Sequence, residues 1–317
     1  MASTASVAVA VPCALGAAVA FAVANVEQMR AARVTEAPAE VSATLLVRLA
    51  RSRKWLIGLA TAVGGFGLQA VALFLAPVVL VQPLIVTELL FALPLAAWYA
   101  NARLHSREWV GAALVAGGIT AFLVVGNPSG NNAHITTFAT VAMTVVVGAG
   151  VILLVLVAES FASRPMLRAS GLALAASACF GMLSVMTKVV GRQFQHDKLD
   201  TLAHPQCYVL AVFAISGLLL SQTAFRIAPL SVSLPVIDIG EPAVASLLAV
   251  LALHETLDLS SGSAVGVALS ASAATIGVAL LDSSPNVHAM QEEVTAIVLE
   301  HTENAEKPAG SQIPETT

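Results

Sequence analysis

The chain has 317 residues, 57% of them apolar and only 11% charged, with a net charge of −4; mean hydropathy is +0.85. Soluble domains carry about 25% charged residues, and a chain this apolar cannot cover a soluble surface with polar side chains. These figures exclude a disordered chain, a coiled coil, a disulfide scaffold, a dedicated nucleic-acid binder and almost any soluble enzyme, and they predict an all-α polytopic membrane helix bundle.

Nine stretches are apolar enough to cross about 30 Å of hydrocarbon as helices: Val7–Val26, Trp55–Leu75, Val78–Ala100, Trp109–Val125, Thr137–Ala158, Gly171–Val190, Cys207–Ala224, Leu230–Leu253 and Gly262–Leu281. No Lys or Arg precedes the first, and Arg30 lies behind it. That is the opposite polarity to a signal peptide, so an uncleaved anchor is expected. Residues 27–54 read as a basic loop ending in Thr44–Lys54, with Leu45, Leu46 and Leu49 on one face and Arg48, Arg51 and Arg53 largely on another. This suits either an interfacial helix on anionic lipid or an ordinary basic loop. Residues from Asp282 onward form a tail with seven acids against one Lys, expected to be disordered apart from a short helix near Met290–His301.

The loops after the first, third, fifth and seventh spans, with the tail, hold 12 of the 15 basic residues; Lys188, Arg192 and Lys198 lie on the other side. The positive-inside rule then places the N-terminus outside and the C-terminus in the cytoplasm of a multi-pass cell-membrane protein.

The chain also repeats itself. Gln69 to Pro77 resembles Gln222 to Pro229; a second proline follows each at Pro83 and Pro235, and a glutamate at Glu88 and Glu241. More loosely, Phe21 to Asn25 aligns with Phe180 to Ser184. Residues 1–126 form the first unit, 127–168 a linker helix with its loops, 169–281 the second unit and 282–317 the tail. Spans one to four and six to nine, joined by span five, start on opposite faces. This is an inverted repeat, the plan of many secondary transporters, with a site near the midplane.

Glu88 is the eleventh residue of 23 in its span and Glu241 the twelfth of 24, so both acids are predicted near the bilayer centre. A charge there costs at least about 2.5–3.5 kcal/mol and therefore faces a cavity or a partner. Asp238 lies one helical turn before Glu241 on nearly the same face. Such a pair can hold a proton, a cation or an ammonium group, so Glu88, Asp238 and Glu241 are the candidate substrate- or proton-binding residues. Gln69 and Gln222 are symmetric polar residues suited to substrate contact or to packing between helices. Lys188 near a span end reads either as a side chain snorkelling to headgroups or as a gate or anion contact. Pro77, Pro83, Pro94, Pro229, Pro235 and Pro242 cluster in or beside spans three and eight, where they free backbone carbonyls. Gly64, Gly65, Gly67, Gly117, Gly118, Gly262 and Gly266 permit close helix packing.

Catalytic chemistry has no footing. His254-Glu255-Thr256-Leu257-Asp258 begins like a zinc-binding H-E-x-x-H but ends in Asp, and no P-loop or G-x-S-x-G occurs. Cys13, Cys179 and Cys207 have no metal spacing and read as small buried side chains. No enzyme activity and no cofactor are expected, and the metal set, if any, is unassigned. The expected partners are the cargo and the lipid bilayer, with a homodimer as the candidate assembly and no nucleic acid.

Glu241 to Leu257, with Pro242, Leu247, Leu248, Leu251, Leu253, Glu255 and Leu257, resembles the "EP…A.LL..L.L.E.L" signature of the EamA-type domains in the drug/metabolite transporter superfamily. The resemblance covers most of residues 7–281. The nine-span plan, the basic loop ending at Trp55, and Pro77 with Pro83 are also similar to the NIPA-type magnesium transporter branch, although Phe66 stands where that branch carries an acid. The resemblance implies an inverted-repeat bundle and a small metabolite or Mg2+ as cargo. The expected function is secondary transport of a small solute by alternating access. The alternatives are a NIPA-type divalent-cation transporter and a non-transporting membrane scaffold.

Overall fold

The computed structural model describes residues 4–34, 43–99, 106–130, 135–227, 230–257 and 260–282. Its elements in chain order are α1 (Thr4–Val34), α2 (Ala43–Leu49), α3 (Arg53–Leu75), α4 (Val78–Val86), α5 (Glu88–Tyr99), α6 (Ser106–Gly126), α7 (Thr137–Ser160), α8 (Pro165–Asp197), a 3-10 turn (Lys198–Ala203), α9 (Pro205–Ile227), α10 (Leu230–Leu253) and α11 (Ser261–Asp282). The fold is all-α, and eight of the described helices are long and apolar enough to cross a membrane. The chain is thus a multi-pass helical membrane protein. Its outer faces carry large apolar side chains, such as Ile57, Val63, Val146 and Leu269, each about 60–70% exposed. In water such a surface would be an aggregation liability; in lipid it is the expected one.

Local chemistry sets the helix ends and keeps polar groups satisfied within each helix, as a lipid environment demands. Ser52 caps α3 by accepting from the Trp55 amide at 3.4 Å, and Thr136 caps α7 by accepting from that of Ala139 at 3.1 Å. Pro165 opens α8, where its missing N–H costs nothing. Hydroxyls on exposed faces turn back to the carbonyl four residues earlier, as Thr61 does to Ile57 and Thr120 to Ala116.

The third apolar stretch differs from the single predicted helix Val78–Ala100. It breaks at Thr87 into α4 and α5. The Thr87 hydroxyl donates to the Leu84 carbonyl at 2.6 Å and its amide donates to the same oxygen at 3.2 Å, closing α4. Pro83, which lacks an amide hydrogen, has already interrupted the ladder one turn earlier. Glu88 is therefore the first residue of α5 rather than an interior residue of a long helix.

Other boundaries moved too. The first helix runs on to Val34, so residues 27–34 are helix rather than loop. The proposed interfacial helix Thr44–Lys54 is only partly present: α2 ends at Leu49, a turn follows, and Arg53 begins α3. Leu49 is fully buried in a small cluster with Ala31 and Trp55, while Arg48 and Arg51 stay exposed, so this segment is tied to the bundle. The tail beyond Asp282, including Met290–His301, and Pro229 lie outside the described residues.

Helix packing falls into two similar groups. In the first half α1 packs on α3, α4 and α5; in the second, α8 packs on α9 and α10. Between the halves, α4 meets α10 and α6 meets α11, while α3 touches α8 and α1 touches α9. Helix α7 packs on α8 at the periphery. The α6–α11 crossing is very close: a methyl group at Gly118 would sit 2.6 Å from the Ala274 amide nitrogen, and one at Gly277 2.7 Å from that of Val115.

Candidate functional site: a cavity between the helix groups

A cavity of about 310 Å3 opens where α1, α3, α4 and α5 face α8, α9 and α10. Its volume is at the lower end of the range for small-molecule sites, about 300–1,000 Å3. Glu88, Asp238, Glu241, Gln69 and Gln222 all line it. Five residues singled out from separate stretches of sequence thus share one space. Lys188 does not line it.

On the first side, Asn25 of α1 donates from Nδ2 to Glu88 Oε1 at 3.3 Å. Glu88 also sits at the N-terminus of α5, where unpaired amide hydrogens and the helix dipole favour a carboxylate. On the second side, Ser184 of α8 donates to Glu241 Oε1, again at 3.3 Å. The glutamines bridge the two groups. Gln69 of α3 reaches across to Ser184 Oγ at 3.4 Å, and Gln222 of α9 reaches across to Gln28 Oε1 of α1 at 2.9 Å. Each glutamine thus both lines the cavity and ties the halves together, so the two readings of these residues are compatible.

Two acceptor atoms are left over. Asp238 Oδ2 and Gln222 Oε1 are buried and have no hydrogen-bond partner in the protein. Apolar side chains cover most of the remaining wall, among them Phe21, Phe66, Phe180 and Phe225. Glycines seat two of these rings. The Phe21 ring lies 3.1 Å from where a Gly65 Cβ would stand, and the Phe180 ring 2.6 Å from the equivalent point at Gly217. A larger residue at Gly217 would displace the Phe180 ring from its seat.

Lys188 lies one turn beyond Ser184 on α8 and is fully buried, so it does not snorkel to the headgroups. Its Nζ donates to Glu255 Oε1 at 2.5 Å and to the Ala76 carbonyl at 3.1 Å. The two carboxylate oxygens of Glu255 accept the Val78 and Val79 amides, each at 3.0 Å, and so cap α4. His254, with a left-handed φ of 52°, ends α10 and turns Glu255 back into the bundle. The next residue, Thr256, exchanges two backbone hydrogen bonds of 2.9 Å with Ser129 in the loop after α6. The segment that began like a zinc motif is a structural clasp: Glu255 caps α4 and pairs with Lys188. Among the described residues, no three His, Cys, Asp or Glu side chains converge to hold a metal ion.

Sequence reasoning missed Asn25, Gln28, Ser184 and Glu255 as site or closure residues. The repeat alignment did pair Asn25 with Ser184, and an acid following a continuous apolar helix was the available signal for Glu255.

The chain is 30% identical over 259 residues to an uncharacterized protein of Corynebacterium glutamicum, a match covering 81% of this chain and 89% of the relative. No family model matches, and no solved structure matches.

Proposed function

We propose that this chain, which belongs to the same family as the Corynebacterium glutamicum protein, is a secondary transporter of a small solute, working by alternating access. The observation that carries this reading is the meeting of Glu88, Asp238 and Glu241 in one cavity between two helix groups. Buried acids at membrane depth are costly, and a binding or proton-carrying role accounts for them. A passive scaffold has no use for a cavity lined by three acids.

The packing supports an inverted repeat. Exchanging α1 with α8, α3 with α9, α4 and α5 with α10, and α6 with α11 maps the main contacts onto themselves. The hydrogen bonds follow the same exchange in part: Asn25–Glu88 becomes Ser184–Glu241, while the two cross-group glutamine bonds correspond by helix only, Gln69 of α3 reaching Ser184 of α8 and Gln222 of α9 reaching Gln28 of α1, one turn from Asn25. The broken α4–α5 pair at mid-span is also the type of discontinuous helix that transporters place at their sites. In this reading α4 and α5 together make the third of nine crossings, with the N-terminus outside and the C-terminus cytoplasmic. The cluster of Lys188, Glu255 and the α4 N-terminus then closes the outer end. The cavity reaches toward the inner end through Gln28, Leu59 and Phe225.

Membership of the drug/metabolite transporter superfamily, as the sequence resemblance implies, is consistent with this architecture. Between its two kinds of cargo, the largely apolar wall favours an organic solute over Mg2+, which prefers several oxygen ligands and retained waters. The test is a ligand-dependent thermal shift of the purified chain against amino acids, nucleotides, polyamines and divalent cations. A ligand that binds only the folded state raises the melting temperature by mass action. An organic solute should produce the shift; a shift from Mg2+ alone would return the cargo to the divalent-cation class.

A further inference from the structure

We propose that the cargo is a small organic cation: a protonated amine, donating N–H groups, on a compact apolar or aromatic body. This rests on the transporter reading and names the substrate class of the same cavity.

The polar valences of the cavity are unequal. Its nearest donors are already engaged within the protein: the Asn25 amide on Glu88, the Gln69 amide on Ser184, the Ser184 hydroxyl on Glu241 and the Gln222 amide on Gln28. Among the described lining residues, the buried polar atoms with no partner at all are both oxygens. Asp238 shares a side-chain hydrogen bond with Glu88, but it is 6% exposed and its Oδ2 has no partner; Gln222 is 1% exposed and its Oε1 has none. A buried acceptor without a donor is costly, and a carboxylate oxygen more so than an amide. The missing complement is a ligand that brings hydrogens, and beside three carboxyl groups it should also bring positive charge.

Charge selects in the same direction. No Lys, Arg or His is among the described residues lining the cavity. Lys188, one turn from Ser184, has its ammonium on Glu255 and the Ala76 carbonyl and is withheld from the cavity. A carboxylate or phosphate cargo would meet three acids and no cation. The rest of the wall specifies the body of the ligand. Phe21, Phe66, Phe180 and Phe225 line the cavity and suit an apolar or aromatic body attached to the charged group. A metal ion could not use these rings, and the described acids do not form a three-ligand cluster.

The test compares three near-isosteric probes on the full chain in lipid: 2-phenylethylammonium, neutral 2-phenylethanol and anionic 3-phenylpropionate. Binding is measured on the chain in nanodiscs and counterflow exchange in proteoliposomes. The ammonium is expected to bind and exchange at least about tenfold better than either analogue, since a charge-assisted hydrogen bond carries at least that factor. Asp238→Asn is expected to remove most of the difference. The isostere comparison needs only the native chain, so a poorly folding variant does not blunt it. Equal or better binding of the alcohol or the acid overturns the assignment, as does failure of the ammonium to bind. Exchange of those analogues without the ammonium would leave the transporter reading intact while removing the cation site. Selective ammonium binding without any exchange would keep the cation site and remove the transporter reading.

Discussion

Asn25 stands to Glu88 as Ser184 stands to Glu241. In each pair a short polar side chain on the first long helix of one group donates to a mid-span glutamate of the same group, over 3.3 Å. The two pairs line opposite sides of one cavity. If they are equivalent parts of one site, Glu88→Gln and Glu241→Gln should each lower solute exchange by about tenfold or more, in line with loss of a charge-assisted contact. Both variants should keep the native gel-filtration profile, because amide and carboxyl groups are nearly the same size. Native exchange in either one would break the equivalence.

Lys188 and Glu255 should behave as a unit. Both side chains are fully buried, so removing one partner leaves an uncompensated charge. Lys188→Met or Glu255→Gln alone should destabilise the chain by about 3–5 kcal/mol, whereas the double variant should recover part of that loss. Thermal unfolding in detergent, read as a double-mutant cycle, measures the coupling. Additive single effects would mean that the two residues act separately.

The α6–α11 crossing makes a position-specific prediction. Gly118→Ala and Gly277→Ala would each drive a methyl group against the facing backbone. A cost of about 1–3 kcal/mol is expected for such overpacking. Gly117→Ala and Gly262→Ala meet nothing within 4 Å and should not lower thermal stability, since alanine is the better helix former. If all four variants melt alike, the crossing is not as tight as described.

Topology can be tested with reporters active only in the cytoplasm. The bias of basic residues predicts activity for a fusion after Leu281 and silence for one at Ser129. Ser129 pairs with Thr256 beside the Lys188–Glu255 cluster, so the same measurement assigns that clasp to a face of the membrane. An active fusion at Ser129 would reverse the assignment of the outer closure.

The apolar stretches and the acids were legible in the sequence because membrane insertion forces each span to be apolar and makes each buried charge conspicuous. Which face of a helix is covered was not legible. Lipid and protein interior are both apolar, so hydropathy does not separate them: α7 is the more apolar of two neighbouring helices yet is largely uncovered, while the less apolar α8 is mostly buried inside the protein. The break at Thr87 was hidden because proline acts on the ladder behind it, and several helices here hold prolines. The Lys188–Glu255 pair joins residues 67 apart in sequence. No local pattern encodes such a partnership, and Lys188 at a span end had a cheaper reading in snorkelling.

Alternating access requires that the cavity open to each side of the membrane in turn. The most direct measurement places one cysteine at Ala214, a cavity-lining residue near the middle of α9, after Cys13, Cys179 and Cys207 have been replaced. A membrane-impermeant thiol reagent is then applied from either side of oriented proteoliposomes. Alternating access predicts labelling from both sides, with 2-phenylethylammonium slowing it from each. Labelling from a single side, or none from either, in a preparation that still folds would contradict it.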